Sequence, residues 1–99
     1  MLRSFRTYQL AVELYGECQK FRLPGYLRLH LLRAASSICL NLAEGTAKPT
    51  KRDRMRFYAI AFGSLREVQA VLDLAPRGSA STLDLLDHLG ACLYRLTHS

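Results

Sequence analysis

The chain has 99 residues, and 49% of them are apolar, enough for one small domain with a modest core. Its formal charge of +6, from 14 basic and 8 acidic side chains, favours polyanionic partners and says little about fold. No apolar run reaches the roughly 20 residues of a membrane span. Three scattered cysteines without CxxC spacing argue against a disulfide framework and fit a reducing cytoplasm.

Residues 4–20 read as a first helix. Phe5, Tyr8, Val12 and Tyr15 recur at three- and four-residue steps, beside a seam of Ala11, Leu14 and Cys18. Residues 1–12 carry arginines and no acid, as a transit peptide does, but the same residues serve as opening turns of this helix, the reading adopted. Pro24 then stops it, because proline lacks an amide hydrogen and disfavours helix at Leu23.

Residues 26–44 form a second helix with two apolar seams, one of Leu27, Leu31, Ala34, Ile38 and Leu42, the other of Leu32, Ala35, Cys39 and Ala43. Two seams imply two neighbouring helices. Gly45 is expected just past its end, in the positive-φ conformation glycine allows, with Pro49 as a further stop.

The third helix is expected over 51–75. Thr50 is its N-cap, Asp53 takes the capping-box position, and Phe57, Ala61, Ser64, Val68, Val71 and Ala75 form its seam. Gly63 lies inside it at a cost of about 1 kcal/mol, which predicts a neighbouring backbone in close approach. Pro76 and Gly78 break the chain. Ser81 or Thr82 then caps a fourth helix over 82–97, with Leu83, Leu86, Leu89, Leu93 and Leu96 on its apolar side. The class is all-α: one domain over 1–99, folded as an antiparallel up-down four-helix bundle.

No catalytic pattern stands out. A di-iron bundle needs inward Glu-x-x-His pairs, and the sequence has none. His30, His88 and His98 lie on separate segments, Asp84 and His88 read as a surface pair, and P-loop and GxSxG signatures are missing. The chain is therefore expected to be no enzyme, with neither metal nor cofactor.

Arg33, Ser37, Asn41 and Glu44 share one face of the second helix. In an antiparallel hairpin Arg33 lies level with Ser64 and reaches Glu67, giving a polar network that fixes helix register. A ligand site made from Glu44 and Glu67 is the alternative, disfavoured because the two sit far apart along the hairpin.

Lys48, Lys51, Arg52, Arg54 and Arg56 follow within nine residues, opposed only by Asp53. Positive charge at a helix N-terminus is mildly unfavourable with the helix dipole. Phosphate contact therefore competes well with a merely solvated face, and Arg28 and Arg66 are secondary choices. Without a base-reading element such contact carries little sequence preference.

Two motifs carry a resemblance: R-A-A-x-S-I-x-x-N-L-A-E-G over residues 33–45 and F-x-x-I-A-x-G-S-x-x-E over 57–67. With the basic hinge between them, the chain resembles the bacterial four-helix-bundle proteins first noticed as reading frames inside intervening sequences of large-subunit ribosomal RNA genes. It is more distantly similar to the accessory variability determinants of diversity-generating retroelements. It departs from the usual pattern at Leu32, where an arginine is typical, at Cys39, where proline is common, and at His30, where glutamine is common. The resemblance implies a homopentameric basic barrel with a nucleic-acid-associated role. The expectation is therefore a cytoplasmic homo-oligomer that binds RNA or DNA, with an adaptor for a reverse transcriptase or ribosome-associated protein as the alternative.

Overall fold

A computed structural model describes residues 2, 5–75 and 79–98 and shows four helices and, among these residues, no strand. They are α1 (Arg6–Gln19), α2 (Gly25–Thr46), α3 (Lys51–Leu74) and α4 (Ala80–Thr97). The expected helix start at Ser4 and the break at Pro76 and Gly78 lie outside the described residues. His30, Ser37 and Gly45 of α2 lie against Glu67, Ser64 and Tyr58 of α3, a falling order that makes the pair antiparallel. Leu65 and Phe62 of α3 meet Gly90 and Tyr94 of α4 in the same sense. Each helix packs on two neighbours, α1 on α2 and α4, α3 on α2 and α4, which closes a square. The 24 residues of α3 rise about 36 Å, nearly the full 40 Å length of the molecule.

The core holds Leu10 and Leu14 from α1, Leu31, Ile38 and Leu42 from α2, Leu65 and Val68 from α3, and Leu89 and Leu93 from α4. Each such side chain contributes about 1.5–3 kcal/mol relative to exposure. On α1 the Ala11–Leu14–Cys18 seam faces inward, while Val12 remains 46% exposed.

Three local expectations are overturned. Gly45 does not end α2 with a positive φ; the helix continues to Thr46, and no described glycine has positive φ. Its role is space: a Cβ there would stand 2.8 Å from Tyr58 Cε1 and 3.0 Å from Phe57 Cβ. Gly63 is the reverse case, since a Cβ there would meet nothing within 4 Å and no backbone presses on it. Ser79, rather than Ser81 or Thr82, caps α4, its Oγ accepting from the Thr82 amide at 3.2 Å. The earlier start turns Thr82 inward, where its buried hydroxyl donates to Glu17 Oε1 at 3.2 Å and ties the start of α4 to the end of α1. Thr50 caps α3 as expected, its Oγ1 accepting from the Asp53 amide.

Burial pushes the Cys18 thiol from its ordinary 9.0 up to about 12, with Glu17 and Cys39 adding repulsion, and pushes Cys39 up to about 11. Both stay protonated in the folded chain at pH values where the unfolded chain ionises. Their contribution is therefore complete below about pH 9 and is lost as pH rises through 11 and 12. Urea midpoints should fall from pH 8.5 to 10.5, and less steeply for Cys18→Ala. At neutral pH, Gly45→Ala should destabilise by about 1–3 kcal/mol through overpacking, whereas Gly63→Ala should stabilise by up to about 1 kcal/mol. Equal midpoints for the two glycine variants would contradict the packing at Gly45.

Candidate nucleic-acid interface

The α2–α3 connection places the basic cluster at one end of the bundle. Lys51 and Arg52 occupy the first turn of α3 and are exposed, as is Arg56 one turn further on. Arg56 lies with its guanidinium carbon 5.2 Å from the Phe57 ring centroid, and Lys48 Nζ lies 5.1 Å from the same centroid. An open groove of about 840 Å³ is lined by Thr50, Arg52, Asp53, Met55, Arg56, Ala59 and Thr97, so the end of α4 forms one of its walls.

Not every cation of the cluster is free. Arg54 is half-buried and donates from Nη1 to the carbonyls of Lys48 (3.0 Å) and Pro49 (3.1 Å), closing the turn after α2. Lys48 forms an ion pair with Glu44 at 3.1 Å. Arg28 is used in the same way at the opposite end of the bundle, donating to the carbonyls of Phe21 (2.8 Å) and Gln19 (3.2 Å) where α1 ends. Helix C-termini leave carbonyls without intrahelical partners, and a guanidinium fork satisfies two at once. Arg66 is exposed midway along α3 and donates to Gln69 Oε1 at 3.4 Å.

Folding adds two cations from outside the cluster. Phe5 packs on Tyr58 with ring centroids 6.2 Å apart, which brings the start of α1, and with it Arg6, to the basic end. Arg95 lies in the last turn of α4, the turn that also supplies Thr97 to the groove. No spacing signal links Arg6 or Arg95 to the cluster; only the up-down topology does. The same topology sends Glu13, Glu17, Glu67, Asp73, Asp84 and Asp87 toward the middle and far end, leaving Glu44 and Asp53 as the carboxylates near the cluster. The basic end is thus more positive than the overall charge implies.

The polar seam of α2 divides into separate pieces. Ser64 Oγ donates to Ser37 Oγ at 2.8 Å, and Asn41 Nδ2 donates to the oxygens of the Ser37 carbonyl (2.9 Å) and hydroxyl (3.1 Å). Glu67 is met by His30 at 3.7 Å rather than by Arg33, which instead approaches His30 Nδ1 at 3.4 Å. His30 lies one turn before Arg33, on the side facing α3, so it intercepts Glu67. Glu44 has left this seam for Lys48. Among the described residues no group of three or more His, Cys, Asp or Glu side chains could hold a metal ion, and no helix is long and apolar enough to cross a membrane.

Residues 3–96 match the family described as 23S rRNA-intervening sequence protein. No curated protein and no solved structure gives a match.

The division of labour among the arginines has a measurable consequence. Arg54→Gln should lower stability by about 1 kcal/mol by stripping two carbonyls of a charged donor, whereas Arg52→Gln should stay within about 0.5 kcal/mol of the parent. Thermal melts of the two variants check this, and equal melts would contradict the assignment.

Proposed function

Because the chain belongs to the 23S rRNA-intervening sequence protein family, we propose that it is a non-catalytic, cytoplasmic RNA-binding bundle that grips phosphates with its basic end. The observation that carries the reading is that Lys51, Arg52 and Arg56 are all exposed at the end of the bundle where Arg6 and Arg95 also lie, with Arg52 and Arg56 lining an open groove there. Guanidinium and ammonium groups neutralise phosphates and release condensed counterions, so affinity should fall steeply with salt and depend little on sequence. Lys48 and Arg54 hold the scaffold and contribute charge from behind the exposed cations, Arg28 serves the scaffold at the opposite end, and Arg66 extends the surface along α3.

Self-assembly belongs to the same proposal. Val12, Leu29 and Leu40 are exposed on α1 and α2, and Val12, Tyr15, Ser36, Cys39 and Leu40 surround an apolar depression of about 200 Å³. A second copy seated on this α1–α2 side would cover it. Five copies, the number implied by the resemblance, would bring five basic ends into one assembly and multiply weak phosphate contacts into avidity.

Replacing Lys51, Arg52 and Arg56 together by Gln should weaken RNA binding and lower the slope of log affinity against log salt by about 2. A salt-titrated filter-binding assay measures both. Unchanged affinity for RNA and for DNA would remove the phosphate-contact reading and leave an adaptor for a reverse transcriptase or ribosome-associated protein. Light scattering should give a mass several times that of one chain, reduced by Leu40→Glu.

A further inference from the structure

Beyond the basic end, one face of the bundle has a composition that packing within the chain does not explain. Arg52, Arg56, Ala59, Gly63 and Arg66 recur at steps of four, three, four and three, so they form a single stripe along α3, and all five are exposed. From Arg52 to Arg66 the stripe runs about 21 Å. Gly63 sits at its centre, where a helix-interior glycine costs about 1 kcal/mol relative to alanine and a Cβ would touch nothing.

The neighbouring edge of α4 carries aromatic rings beside this stripe. Tyr94 is 54% exposed and stacks on His98, with ring centroids 3.9 Å apart and planes 14° from parallel. His98 Nδ1 lies 2.9 Å from both the Tyr94 carbonyl and Thr97 Oγ1, which holds the imidazole in place. Tyr94 meets Phe62 edge-on at 6.4 Å, and the Arg66 guanidinium lies 5.2 Å from the Phe62 ring centroid. Two separate grooves lie along this face, with the Tyr94–His98 stack next to both. The first contains Arg52, Arg56 and Thr97; the second, about 230 Å³, contains Phe62, Arg66, Gly90 and Tyr94. Cation, stacked rings, ring and cation therefore follow one another along the α3–α4 face. Asp53 shares the first groove, where two guanidinium groups outnumber it, and Asp87 closes the far side of the second.

We propose that the α3–α4 face is a track for an unpaired RNA strand, with phosphates on Arg52, Arg56 and Arg66 and bases stacked against Tyr94, His98 and Phe62. Single strands are held by basic grooves interleaved with aromatic platforms, because every base offers a π face. A duplex buries its bases, so it reaches the arginines and leaves the rings unused. The small residues Ala59 and Gly63 keep the floor between the cations flat enough for a sugar–phosphate chain to approach the helix. The α3–α4 face lies opposite the apolar α1–α2 side, so the track stays open when copies associate there.

The inference rests on the phosphate-contact reading and fails separately from it. The full chain, which contains no tryptophan, is titrated by fluorescence anisotropy with a labelled 12-nucleotide oligoadenylate RNA and with the same strand annealed to its complement. The single strand should bind more tightly. Tyr94→Leu should weaken it about tenfold, with duplex affinity unchanged and Tyr94→Phe close to the parent. In Tyr94→Trp, titrated with unlabelled RNA, the single tryptophan, excited apart from the tyrosines, should be quenched by the strand and not by the duplex. Equal or tighter duplex binding, or no effect of Tyr94→Leu on the strand, overturns the track while the basic end stands. If the triple Gln variant also binds RNA as the parent does, both readings fall. Should Tyr94→Leu lower the thermal melt, the exposed Arg66→Gln decides. It should reduce the salt slope for the strand by about 0.7, and an unchanged slope overturns the track.

Discussion

The contact on which the rest of the molecule depends is the seating of Tyr58 and Phe57 against the bare backbone of Gly45. Not even a Cβ fits between them, so the Tyr58 ring and Phe57 Cβ of α3 pack directly on the α2 backbone. Further along, the Ser64–Ser37 hydrogen bond, backed by Asn41, holds the same two helices in register. With α2 and α3 locked as a hairpin, α1 and α4 need only lay their leucine faces against it, and the buried Thr82–Glu17 bond closes the square at the opposite end.

This hairpin determines where the charge goes. Its turn carries five of the fourteen cations, and the way α2 ends decides which of them are available. Arg54 turns back to the carbonyls of Lys48 and Pro49, and Lys48 turns to Glu44, leaving Lys51, Arg52 and Arg56 facing water. The exposed groups sit at a helix N-terminus, where the dipole disfavours them. A bound phosphate would reverse that penalty, since the same terminus and the same cations attract it together.

Much of the fold was legible in the residues because helical spacing of apolar side chains is a strong local signal. The four helices, the two seams of α2 and the Thr50 cap all rest on interactions within a few residues. The errors have a common cause. At Gly45 and Gly63 the common uses of glycine mislead, and each does the opposite: Gly45 makes room for a ring on another helix, and Gly63 faces open space. Level along the hairpin pairs Arg33 with Glu67, yet His30, one turn earlier, is the residue whose side chain points across. For the candidate site, the cluster at residues 48–56 could be read directly, but its sorting into scaffold and free cations could not.

By itself, the sequence determined the helical class, the approximate helix spans, the family and the presence of a basic hinge, because all of these are written in local periodicity and contiguous motifs. The tertiary structure decided which cations of the cluster are drawn into the scaffold, that Arg6 and Arg95 come to the same end, and that Tyr94, His98 and Phe62 line up beside Arg52, Arg56 and Arg66. Those relations join residues up to about ninety positions apart. They exist only once the antiparallel packing has brought the helix ends together, which no short-range spacing can encode.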